Sequence, residues 1–91
     1  ARGDVSFRLA PRSRQDAEEM IDEVRSAALL KGLRGAPPAD RPALVETILR
    51  IGQLAADCPQ IAELDVNPLI VLPDGQGALA ADVRIILGEA G

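Results

Sequence analysis

The residues whose types and spacing suit chemistry lie close together. In Ile61-Ala62-Glu63-Leu64-Asp65-Val66-Asn67 the oxygen-bearing side chains of Glu63, Asp65 and Asn67 fall at every second position. On a strand this gathers all three on one face, within about 14 Å at ~3.4 Å per residue, and puts Ala62, Leu64 and Val66 on the other. Pro73 to Gly77 reads as a turn, and Asp74-Gly75 predicts a two-residue hairpin of the I′ type. With Pro73 paired to Gln76, Asn67 falls opposite Asp82 and Asp65 opposite Arg84. A four-residue loop keeps that register, whereas a three-residue loop shifts it by one and spoils the alignment. Pro68 marks a place for a bulge in the ladder.

Opposed Cβ atoms in such a ladder sit about 4.5–5.5 Å apart, so Asn67 and Asp82 can share one hard cation through oxygen. Asp65 is then a diagonal neighbour of Asp82 at about 7–8 Å. Two carboxylates at that range repel by about 2 kcal/mol at an effective dielectric near 20. A divalent ion, or Arg84 folded between them, offsets the repulsion. Mg²⁺ suits the set, because it takes one or two carboxylates, keeps waters and completes its shell with phosphate. The same spacing has a plainer reading: a solvated acidic face, with Asp65–Arg84 an ordinary cross-strand ion pair worth under about 1 kcal/mol.

Composition removes other chemistries. The 91 residues contain no His, which excludes imidazole acid–base catalysis and imidazole metal ligands from this chain. Phe7 is the only aromatic residue, so nucleobase stacking is nearly excluded and the core must be aliphatic. A net charge of −4 without a basic stretch argues against nucleic acid as a partner. Cys58 is single, reads as a small buried hydrophobe near a helix end, and fits a reducing, cytoplasmic compartment. No apolar run approaches the roughly 18–20 residues that span a bilayer. The chain starts at Ala1 without Met, which is expected of a fragment of a larger protein.

The elements that must position the hairpin are legible from periodicity. Asp4 to Ala10 alternates Val5, Phe7 and Leu9 with Ser6 and Arg8, as a strand does, until Pro11. Ser13, with Asp16 three residues on, opens a helix whose stripe is Ala17, Met20, Ile21, Val24 and Ala28 and which ends by Gly32. Leu33 to Ala39 is a loop. Asp40 is the next N-cap, with Pro42 in the first turn and Leu44, Val45, Ile48, Ile51, Leu54 and Ala55 as the buried stripe, closed by Pro59. A long strand over 61–72, the turn, and a returning strand over 78–87 complete a β-α-α-β-β order. The expected fold is α+β, with both helices on one face of a small, largely antiparallel sheet. Three strands make a poor free-standing sheet, so one edge is expected to meet other strands or to self-associate.

Four blocks in order resemble one family. Glu63-Leu64-Asp65-Val66-Asn67-Pro68-Leu69 looks like the E-[LI]-[DE]-[IV]-N-P-L segment of ADP-forming acyl-CoA synthetases and of the succinyl-CoA synthetase β chain. Asp4 to Pro11 is similar to their D-x-x-F-R-L-A-P segment, the loop around Gly32 to Asp40 to G-x-R-G-x-P-P-x-D, and Gln53 to Asp57 also matches. The resemblance implies the second, C-terminal lobe of an ATP-grasp nucleotide-binding domain, with residues 1–91 a segment of it.

It further implies a reaction in which ATP, a carboxylate and CoA give acyl-CoA, ADP and phosphate through a phosphohistidine that lies elsewhere. The cofactors implied are Mg²⁺ and ATP/ADP. By the resemblance Asn67 and Asp82 are the metal ligands, Asp65 is a water-mediated or outer partner, and Arg84 either neutralises Asp65, the reading placed first, or approaches phosphate. Arg8 and Arg34 read as ion-paired or solvated. The ATP lysines, the adenine pocket and the phosphohistidine have no counterpart in this chain. The implied partners are therefore the remaining ATP-grasp lobe and the CoA-binding domains, with small-molecule substrates and no membrane. By itself the fragment is expected to be inactive. Two other readings stay open: a regulatory synthetase-like segment fused to a GNAT acyltransferase, and a non-catalytic interaction module.

Overall fold

The computed structural model describes residues 3–32 and 39–88. The first strand, β1 (Gly3–Leu9), buries Leu9 and packs Val5 and Phe7 on the core, while Ser6 and Arg8 face out. Helix α1 (Arg14–Gly32) starts as its sequence demands. Ser13 Oγ accepts from the Asp16 amide at 3.0 Å, and Asp16 Oδ2 reaches back to the Arg12 amide at 2.9 Å. This is the capping-box exchange with the return bond made one residue early, because Asp is shorter than Glu. The expected loop over 33–39 lies outside the described residues except for Ala39, as does Arg34.

Helix α2 (Arg41–Asp57) is capped by Asp40, whose Oδ1 accepts from the Ala43 amide at 3.1 Å. The second oxygen of the same carboxylate takes the Gly77 amide at 2.8 Å, and the Asp40 amide donates to the Leu72 carbonyl at 2.9 Å. One residue therefore ends the turn problem of a helix and ties that helix to the hairpin.

The long strand β2 (Ile61–Val71) is the centre of the sheet. β1 pairs along one side, antiparallel. The other side is shared by β3 (Ala78–Ala80) and β4 (Val83–Leu87), both antiparallel to β2. The expected single returning strand is thus split at Ala81-Asp82. The reason stands opposite: Pro68 has no N–H to give the ladder, so only the Ala81 amide to Pro68 carbonyl bond, 3.0 Å, forms there.

The expected register holds across the split. Val71 pairs with Ala78, Leu69 with Ala80, Val66 with Val83 and Asp65 with Arg84. The turn that sets it is not type I′. Gly75 has φ +79° but Asp74 is not at positive φ, which fits a type II pattern with glycine at its third position. Register survives because the loop length is unchanged, with the Gln76 amide bonded to the Pro73 carbonyl at 2.9 Å.

Pro68 does carry a bulge, and it lies in the β1 ladder. Val5 pairs with Leu69 and Phe7 with Val66, so Asn67 and Pro68 together oppose the single residue Ser6. The buried parity of β2 switches there, from Leu64 and Val66 to Leu69 and Val71. A second shift between Ile61 and Glu63 corrects another expectation: Ile61 is buried and Ala62 is exposed, not inside.

α1 lies over β1, α2 lies over β2 and β3, and the two helices pack on each other. Of the α2 stripe, Leu44, Ile48 and Ala55 are buried, but Leu54 is 44% exposed. Gly52 is buried instead, because the helices approach most closely there. A Cβ at that position would overlap Cγ1 and Cδ1 of Ile21, itself buried. Gly52→Ala is therefore expected to destabilise by about 1–3 kcal/mol from overpacking, outweighing the ~1 kcal/mol gain in helix propensity. Thermal unfolding of Gly52→Ala in the wild-type and in the Ile21→Ala background checks this: the loss should shrink where Ile21 is truncated, and an equal loss in both backgrounds would refute the clash.

Candidate functional site

The polar face of the sheet is where the sequence-picked residues meet. Asn67, Asp82, Asp65 and Arg84 all line one open cleft of about 470 Å³, together with Ser6 and Arg8. Backbone pairing positions the first two: the Asn67 amide donates to the Asp82 carbonyl at 3.0 Å. Asp82 stands in the break between β3 and β4, so it is free of the regular ladder while remaining opposite Asn67.

The charge pairing differs from expectation. Arg84 stands across from Asp65 in the ladder, yet among the described residues no carboxylate lies within 4.0 Å of its guanidinium. Arg8 takes that role from the other side. Its Nε donates to Glu63 Oε1 at 2.6 Å and lies 3.9 Å from Asp65 Oδ1. The cause is geometric: Arg8 pairs with Asp65 across β1–β2, and its long stem reaches the diagonal Glu63 on the same face. Arg84 is left facing the cleft with no salt bridge among the described residues, although its charge still acts on Glu63.

Ser6 was not anticipated. Its hydroxyl donates to Asn67 Oδ1 at 2.8 Å. The outward phase of Ser6 and Arg8 is visible in the alternation of β1, but not which strand β1 pairs with, nor the bulge that brings Ser6 against Asn67.

The donors of the cleft are all oxygen: one amide, two carboxylates and one hydroxyl. Among the described residues no three His, Cys, Asp or Glu side chains converge as a self-sufficient metal cage. A hard cation that takes few protein ligands and fills its shell from water and phosphate fits such a set; zinc does not.

The Glu63 carboxyl is held below the usual range, first by the hydrogen bond from Arg8, then by the Arg8 and Arg84 charges, with burial opposing. The Asp57 carboxyl is also lowered, by hydrogen bonds from Gln53 and Arg14. A lowered folded-state pKa means that the unfolded chain binds more protons in the acid window. The stabilisation is present above the ordinary Glu value of about 4.3 and is lost as pH falls through the depressed one. The midpoint of thermal unfolding is expected to drop between about pH 5 and pH 3, and Arg8→Gln to flatten that drop. An unchanged slope in Arg8→Gln would show that Glu63 is not linked to folding.

The chain has relatives among known proteins. The family model described as "ATP-grasp domain" matches residues 1–87. The chain is 44% identical over 86 residues to acetate–CoA ligase [ADP-forming] I of Archaeoglobus fulgidus, covering 94% of this chain and 12% of that protein. It is 44% identical over 84 residues to the β subunit of acetate–CoA ligase [ADP-forming] I of Pyrococcus furiosus, covering 92% of this chain and 35% of the subunit. Acetyl-coenzyme A synthetase 1 of Candidatus Korarchaeum cryptofilum, solved with coenzyme A and Mg-AMPPCP, superposes with a TM-score of 0.55 at 46% identity, over 91% of this chain and 38% of that one. The chain therefore spans about a third or less of the proteins it resembles, and within that span it belongs to the ATP-grasp domain family.

Proposed function

We propose that this chain is the part of an ADP-forming acid–CoA ligase that presents a magnesium–phosphate site, with Asn67 and Asp82 as the protein's ligands to the metal. The observation that carries the proposal is the placement of an amide oxygen and a carboxylate at opposed positions in one cleft, beside a cation, Arg84, that makes no salt bridge among the described residues. The relatives are ADP-forming acid–CoA ligases, and one solved relative is described with Mg-AMPPCP.

Each residue has a distinct part. Asn67 on β2 and Asp82 in the break between β3 and β4 would hold the metal from the two sides of the hairpin, so its register is the ruler of the site. Asp65, drawn toward Arg8, serves as an outer partner through water rather than a direct ligand. Arg84 faces phosphate oxygen, the anion its position leaves room for. When held by Asn67 and Asp82, Mg²⁺ would supply neutralisation of the nucleotide's phosphate charge. The chain has no histidine, so a phosphohistidine acceptor sits on another segment or subunit. The apolar row Val83, Ile85 and Leu87 on β4, exposed at 44%, 45% and 67%, is the surface proposed to meet the rest of the ATP-grasp region.

The test is a titration of ADP, with and without Mg²⁺, into the parent protein and its Asn67→Ala and Asp82→Ala variants. Retention of the full metal dependence in both variants would sink the ligand assignment.

A further inference from the structure

We infer that Ser6 is a positioning residue: its hydroxyl holds the Asn67 carboxamide in place at the metal position. The inference rests on the metal-ligand reading of Asn67. An asparagine amide is nearly symmetric in shape, and its two orientations differ only in presenting an acceptor oxygen or a donor NH₂. A ligand to Mg²⁺ must present the oxygen. Asn67 is exposed and its amide is on the open face of the sheet, so backbone packing alone does not choose between the two.

Ser6 restrains the side chain. Its Oγ–H donates to Asn67 Oδ1 at 2.8 Å. That bond uses one lone pair of the oxygen and leaves the other for a cation. The hydroxyl can also accept from NH₂, so the bond restrains where the carboxamide sits, and the cation selects its oxygen end. The contact exists because of the bulge: Ser6 alone stands against Asn67 and Pro68, with Val5 and Phe7 on either side anchored to the core. Ser6 therefore sits on a fixed point of the scaffold, while the residue it restrains belongs to the cleft.

The experiment is a Mg²⁺ titration at saturating ADP in the full-length parent, comparing wild type, Ser6→Ala, Ser6→Thr, Asn67→Ala and Ser6→Ala/Asn67→Ala, with metal-free ADP binding as a parallel readout. One neutral hydrogen bond predicts a loss of metal affinity of about tenfold in Ser6→Ala, the low end for residues that orient metal ligands. Ser6→Thr, which keeps the hydroxyl on a β-branched side chain suited to a strand, should restore it. Metal-free ADP binding should not change, and Ser6→Ala should add nothing in the Asn67→Ala background. Wild-type metal affinity in Ser6→Ala, with a loss in Asn67→Ala, overturns the inference and leaves the ligand assignment standing. Wild-type affinity in Asn67→Ala removes both. A Ser6→Ala effect that persists without metal, or without Asn67, shows that Ser6 acts elsewhere and also overturns it.

Discussion

Asp82→Ala in the parent protein is expected to weaken Mg²⁺-supported ADP binding by about 100-fold. Loss of residues that merely orient metal ligands costs about 10–100-fold in affinity, and removal of a charged ligand belongs at or above the top of that range. Asp82→Asn keeps an oxygen and the side-chain length but loses the charge, so it should fall between alanine and wild type. Asn67→Ala should resemble Asp82→Asn, because a neutral ligand contributes less Coulomb energy than a carboxylate. Isothermal titration at fixed ADP and varied Mg²⁺ gives all three. Asp65→Ala is expected to cost less than any of them, since Arg8 holds that carboxylate to one side. If Asp65→Ala proved the most damaging, the metal would sit nearer β1 than proposed.

Leu64→Ala is expected to give the largest loss of stability, about 2–5 kcal/mol. Leu64 is 1% exposed at the middle of β2, paired with Leu9 across one ladder and Ile85 across the other. Its neighbours Glu63 and Asp65 carry the ionic face, so no shift of the strand can refill the hole without turning charges inward. Domains are typically stable by only 5–15 kcal/mol, so this is a large share of the total. Ile85→Ala, at 45% exposure on β4, should cost under about 1 kcal/mol in the free chain. Urea unfolding should show a lower midpoint with unchanged slope for Leu64→Ala. Similar losses for the two variants would mean that β4, not β2, lies at the centre of the packing.

Much of this arrangement was legible before any coordinates. The alternation in β1, the two helical stripes and the caps at Ser13 and Asp40 are short-range patterns, set by the periods of strand and helix and by orphan amides at helix starts. The hairpin register was also legible, because loop length alone decides it, even though the turn has a different conformation from the one its Asp-Gly pair suggests. The hairpin side of the cleft followed from that register, since Asp65, Asn67, Asp82 and Arg84 lie on the two arms it joins, while Ser6, Phe7 and Arg8 come from β1.

What the chain could not disclose locally is what β1 does. Residues 6 and 67 are far apart in sequence, and only the sheet brings them together, through a bulge whose position depends on where β1 ends against β2. The same pairing delivers Arg8 to Glu63 and Asp65 and so frees Arg84, reversing the ion pair that strand arithmetic favoured. Gly52 is a similar case: glycine reads as a weak point in a helix until a second helix occupies the space its missing Cβ leaves. The sequence by itself determined the elements, their inward faces and the opposed Asn67 and Asp82, because those depend on local periods and one short loop. Tertiary structure decided which cation each carboxylate meets and which hydroxyl restrains the amide, because both are set by distances between segments that no local pattern encodes.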